Sequence, residues 1–122
     1  MPRRMLAPCP DSPNCVSSLA SPQDSRHVIH PYIYSKAISE AKAALKAVIA
    51  ALPRTKLIQD EELYLHYEFT SLLLGFIDDV EFLFDEDAKT IHFRSASRVG
   101  YGDFGVNRRR MEGIRSRLQG KL

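Results

Sequence analysis

Three groups of side chains in this 122-residue chain combine types and spacings that could do chemistry. Cys9 and Cys15 enclose five residues, two of them proline. A disulfide can close so short a loop when the two α-carbons come within about 7 Å, contributing roughly 2–3 kcal/mol. The pair is expected to be structural in an oxidising compartment and reduced in cytosol. Its spacing is not Cys-x-x-Cys, so redox catalysis is not expected. His27 and His30 would complete a set of four zinc-ligand types, but the separations miss those of zinc sites; no metal and no cofactor is expected. Asp78 and Asp79 form the second group, with Glu81 on Asp79's side of a strand. Such carboxylates can divide acid and base roles or hold a hard cation, whereas opposite Arg94 or Arg98 they form cross-strand ion pairs.

The third group spans residues 94–110. Arg94 and Arg98 are four apart on a strand and share one face, while Ser95 and Ser97 share the other with Phe93. A loop with Gly100, Gly102, Asp103 and Gly105 then leads into a helix beginning with Asn107, Arg108 and Arg110. Backbone N–H groups at a helix start, flanked by guanidinium groups, suit phosphate, sulfate or carboxylate. The candidate ligand-binding set is therefore Arg94, Ser97, Arg98, Asp103, Asn107, Arg108 and Arg110. The same residues admit a structural reading in which Asp103 caps the helix, Asn107 ties the loop to the sheet and Arg98 pairs with Asp78 or Asp79. Gly100-x-Gly102-x-x-Gly105 spells the dinucleotide fingerprint, but antiparallel surroundings and the lack of an acidic residue about 20 positions on remove its mechanism. The four histidines, at 27, 30, 66 and 92, show no spacing that joins them to a nucleophile.

These groups need a scaffold, and the composition bounds it. At 44% hydrophobic and 26% charged, with 7 Pro, 6 Gly and no Trp, the chain reads as one soluble domain over 1–122. That excludes collagen, coiled coil, a disordered tail and a two-domain enzyme. No stretch reaches the roughly 20 apolar residues that span a bilayer, and Met1-Pro2-Arg3-Arg4 leads into no apolar signal core. The expected address is cytoplasmic for the chain as given, and periplasmic or lumenal if the disulfide is native. The net charge of +2 is unevenly laid out. Residues 1–52 carry six basic and three acidic groups, 53–90 three and ten, and 91–122 eight and two, so an acidic middle precedes a basic end.

Periodicity supplies the elements. Residues 1–25 show none and read as an irregular arm before a core at 26–122. Residues 27–31 suggest a short edge strand closed by Pro31. Ile38, Ala41, Leu45, Val48, Ile49 and Leu52 recur at helical spacing, predicting a helix over 35–52 with Ser35 as N-cap and Pro53 as stop. Alternation predicts strands at 63–70, 80–85 and 91–94, joined as hairpins around Gly75 and through Asp85-Glu86-Asp87-Ala88-Lys89. Met111, Ile114 and Leu118 stripe a last helix over 106–119, with Gly120 as its stop. The expected fold is two-layer α+β: an antiparallel sheet of three to four strands with two helices on one face and an irregular N-terminal arm.

Cys9-Pro10-Asp11-Ser12-Pro13-Asn14-Cys15-Val16-Ser17-Ser18, Gly75-Phe76-Ile77-Asp78-Asp79-Val80-Glu81-Phe82, and Arg94-Ser95-Ala96-Ser97-Arg98-Val99-Gly100 continuing through Asp103, Gly105, Val106, Asn107 and Arg108 together resemble the domain of unknown function 1499 family. The resemblance runs over nearly the whole chain and implies no activity, cofactor or catalytic residue. Relatives commonly carry an export or membrane segment ahead of the domain. The expected function is a small non-enzymatic binding module for an anionic small molecule or an acidic protein segment. Two alternatives are an enzyme using Asp78 or Asp79 with Arg98, and a weak nucleic-acid binder through Arg108, Arg109, Arg110, Arg115 and Arg117. The last is disfavoured by the low net charge and by a helix without interleaved aromatics.

Overall fold

Successive strand side chains point to opposite faces, and in the middle of this chain one set is apolar throughout. The computed structural model describes residues 4–122, and in it Tyr64–Thr70, Ile77–Asp85 and Thr90–Ser97 are antiparallel neighbours. These strands are β4, β5 and β6, after β1 (Cys15–Ser17), β2 (Tyr32–Ile33) and β3 (Thr55–Glu61). Leu65, Tyr67 and Phe69, Val80, Phe82 and Phe84, and Ile91 and Phe93 are all buried on one side. Helices α1 (Ile38–Ala50) and α2 (Val106–Arg117) supply Ala41, Leu45, Val48 and Ile49, and Met111 and Ile114, to the same core, joined by Leu118. Tyr32 anchors α2 by donating its hydroxyl to the Met111 carbonyl at 2.7 Å.

The sheet has six strands, not three to four. Its order is β1-β6-β5-β4-β3, with β2 also paired to β6. The extra strands carry no usable alternation: β1 and β2 are three and two residues long, and β3 is exposed along nearly its whole length. β3 is held instead by its ladder to β4 and by Lys42 and Lys46 of α1, both on Asp60 at 2.8 and 2.5 Å. The edge strand expected at 27–31 also differs. Val28 makes a single parallel bridge to Ser17, and the strand lies beyond Pro31, at Tyr32–Ile33. α1 starts at Ile38 with no side-chain cap, because Ser35 is turned to the Leu122 carbonyl.

The arm crosses the sheet face that carries Arg94 and Tyr64, although residues 1–3 of it lie outside the described residues. Leu6 is buried, Pro8 accepts a hydrogen bond from Arg94, and Arg4 stacks 4.2 Å over the Tyr64 ring while pairing with Glu61. Cys9 and Cys15 are joined as a disulfide with α-carbons 5.7 Å apart, tying the arm to β1. His27 closes the same region. One ring nitrogen meets Asp24 at 2.6 Å and the other the Ser12 carbonyl at 2.9 Å. No described helix is long and apolar enough to cross a membrane.

Candidate functional site

Asp78 and Asp79 are adjacent in β5 and so face opposite sides of the sheet. Asp78 is 8% exposed and meets Arg110 of α2 at 2.6 Å. Asp79 lies on the other side, where Arg98 grips both its oxygens at 2.8 and 2.9 Å and His66 reaches it at 2.8 Å. Arg98 also pairs with Glu68 at 2.5 Å. The bonds from Arg98 outweigh partial burial and hold the Asp79 carboxyl below its ordinary value. The two aspartates thus cannot act on one substrate atom, and Arg98 is on Asp79's side alone.

Between β6 and α2 the polar residues converge on Asn107, which is fully buried. Its side-chain N–H groups donate to Asp103 at 2.8 Å, Ser97 at 3.0 Å and the Asn14 carbonyl at 3.2 Å. Its oxygen accepts from Ser95 at 2.6 Å and Arg110 at 2.7 Å. Asp103 accepts the backbone N–H groups of Gly105 and Asn107 at 2.8 and 3.1 Å, which caps α2 from three residues ahead of its start. Burial opposes ionisation of Asp103, but the Asn107 side chain and these N–H groups prevail and keep its carboxyl below the usual range. Asn14, also buried, clasps the glycine loop by donating to the Gly100 carbonyl at 2.9 Å.

The structure therefore brings Ser97, Asp103, Asn107 and Arg110 into one network and leaves Arg94, Arg98 and Arg108 apart. Arg94 faces the arm, 3.9 Å from Glu81, with its Nε buried and without a hydrogen-bond partner among the described residues. Arg108 donates to the Arg26 carbonyl. Arg115 of the same helix donates to the His30 and Pro31 carbonyls and lies over the Tyr32 ring. Arg108 and Arg115 of α2 are thus spent on backbone carbonyls of residues 26–31.

Beside this filled corner lies an open cleft of about 820 Å³. Its walls are the end of α1, the 71–76 loop between β4 and β5, the 98–105 loop and α2. Leu52, Phe69, Leu74, Phe76, Val99, Phe104 and Ile114 give it an apolar lining, while Arg54, Arg109 and Arg117 stand among them. Asp78, Ser97, Asp103 and Arg110 reach it from the polar corner. The 71–76 and 98–105 loops beside it carry apolar side chains that are unusually exposed for a protein surface: Leu73 is 90% exposed, Phe104 is 95% exposed, and Leu72 and Leu74 are also mostly in water. Phe104 adopts a left-handed backbone (φ 54°), a conformation costly for a bulky side chain. The turn that aims Asp103 inward aims Phe104 outward.

The cleft was not anticipated from the residue spacing. One signal for it existed: Leu72-Leu73-Leu74 stands immediately before Gly75, where the chain reverses and polar residues are the rule. Among the described residues, no cluster of three or more His, Cys, Asp or Glu side chains has the arrangement to hold a metal ion.

A disulfide-tied α+β domain, closed at a polar corner and open at an apolar cleft, is the class that this geometry defines. The family described as "Protein of unknown function (DUF1499)" matches residues 5–118, and the chain belongs to that family. No curated protein matches the chain.

Proposed function

We propose that the domain is a non-enzymatic binding module for a small anionic molecule with an apolar body, received in the cleft between the 71–76 and 98–105 loops. The supporting observation is the cleft itself: about 820 Å³, within the range of small-molecule sites, lined mainly by apolar side chains. Its charge favours an anion. Four arginines and two aspartates line it; Arg110 is matched by Asp78 and Asp103 by the α2 N–H groups, leaving Arg54, Arg109 and Arg117 as the excess. Arg54 and Arg109 are braced by the carbonyls of Thr70 and Phe104, which orients their remaining N–H groups. Ser97, Asp103 and Arg110 belong to this site; Arg94, Arg98, Asn107 and Arg108 support the fold around it. Separation of Asp78 from Asp79 by the sheet disfavours a paired-carboxylate enzyme.

Decanoate, decanol and sulfate separate the contributions of charge and apolar body. Decanoate should raise the melting temperature saturably, decanol less and sulfate little. Leu74→Asp, at an exposed lining position, should abolish the decanoate shift, while Arg98→Ala, on the other sheet face, should leave it intact. No shift with decanoate, or loss with Arg98→Ala but not with Leu74→Asp, would overturn this reading.

A further inference from the structure

The two ends of the sheet differ in chemistry. One end gathers the start of β3, the 71–76 loop and the 98–105 loop, because the β3–β4, β4–β5 and β5–β6 ladders are all antiparallel. From that end project Leu72, Leu73, Tyr101 and Phe104, all mostly in water. Leu72 and Leu73 stand on the 71–76 loop, Tyr101 and Phe104 on the 98–105 loop. Arg54 and Arg109 flank them, and Arg26 donates to the Tyr101 hydroxyl at 3.2 Å. The carboxylates lining the cleft there, Asp78 and Asp103, are already engaged by Arg110 and by the α2 N–H groups.

The opposite end holds the β3–β4 and β5–β6 turns, with Glu62, Asp85, Glu86 and Asp87 all exposed. The strands therefore run from an acidic end to an apolar and cationic one. From this polarity we infer that the domain docks on an anionic lipid bilayer, with the 71–76 and 98–105 loop tips entering the interface. Protruding aliphatic and aromatic tips partition into the boundary between headgroups and acyl chains, and arginines beside them meet lipid phosphates. The negative surface potential attracts that end and repels the acidic one, which fixes the orientation. The cleft then opens toward the membrane, the natural source of a molecule with an apolar body and an anionic head. This docking rests on the loop tips and the charge polarity, and it holds whatever occupies the cleft.

Co-sedimentation of the full chain with phosphatidylcholine vesicles, with and without phosphatidylglycerol, tests the inference. Binding should require phosphatidylglycerol and weaken as sodium chloride is raised. Leu72→Glu combined with Leu73→Glu changes exposed tips outside the cleft lining. It should cut vesicle binding roughly tenfold or more, by removing apolar insertion and adding charge, while leaving the melting temperature and the decanoate shift unchanged. The natural chain has no tryptophan, so a reporter can be placed at will. Leu73→Trp should show a blue-shifted emission on vesicle binding, and Glu86→Trp should not. Absence of binding to phosphatidylglycerol vesicles, binding undiminished by the double substitution, or a shift at Glu86→Trp would overturn the docking. A decanoate shift retained under those results would leave the cleft reading standing by itself.

Discussion

The filled corner around Asn107 and the open cleft beside it share the loop 98–105, yet they treat their side chains in opposite ways. In the corner, each of the polar groups named on Ser95, Ser97, Asp103, Asn107 and Arg110 has a partner. A buried polar atom without one costs roughly 1–3 kcal/mol, so a fold that brings such atoms together must match them. In the cleft, apolar side chains that a core would readily take are left in water. Internal matching is what holds the corner together; unused apolar surface is what leads us to propose the cleft beside it as a place for another molecule. A cluster of arginines and amides in a sequence can thus be consumed by its own fold, as Asn107 and Arg110 are here.

Arg110→Ala should have the largest effect. It strands the nearly buried Asp78 carboxylate and leaves the Asn107 oxygen with one donor, so unfolding free energy should fall by about 3 kcal/mol. In thermal scans that is a drop of roughly 10 °C. Arg98→Ala supplies the contrast, since the Arg98 side chain is exposed and its partners Glu68 and Asp79 are only partly covered, so its urea midpoint should fall clearly less than that of Arg110→Ala. Equal losses in the two variants would erase the distinction between buried network and surface pairing.

Phe104→Gly should act in the opposite direction. It relieves a left-handed conformation at a side chain in full solvent, so stability should hold or rise by up to about 1 kcal/mol, while the decanoate shift diminishes. A clear loss of stability would mean that Phe104 belongs to the core economy after all.

The smallest effect concerns the arm beneath the corner, where His27 holds the Ser12 carbonyl and Ser12 in turn donates to Asn14. The Ser12 carbonyl, ahead of the opposing effect of burial, and the Asp24 carboxylate raise the His27 imidazolium above its ordinary value of 6.5. A raised folded value favours the protonated form in the native state. The stability it contributes is therefore complete below pH 6.5 and is lost as pH rises through the folded value. Urea midpoints across this window should decline modestly for the parent chain, and His27→Gln should flatten the decline.

Much of the fold was legible. β4, β5 and β6, both helices and the hairpin around 85–89 follow from alternation and helical spacing, since each has one buried apolar face. β3 was hidden because its residues are held by backbone pairing and by lysines of α1, which leave no apolar stripe. Among the candidate residues, the sequence placed Arg98 and Ser97 on opposite faces of β6. The meeting of Asn107 with Asn14, 93 positions away, had no local trace.

What the residues determined unaided is the alternating core, the charge layout and the possibility of a bridge between Cys9 and Cys15, because each depends on neighbours in the chain. Tertiary structure alone decided which arginines are matched and which face the solvent. That outcome turns on distances between groups far apart in sequence, where one ångström separates a satisfied pair from an available cation. It also decided that Leu72–Leu74 and Phe104 meet at one end of the sheet, because antiparallel pairing brings those two loops together.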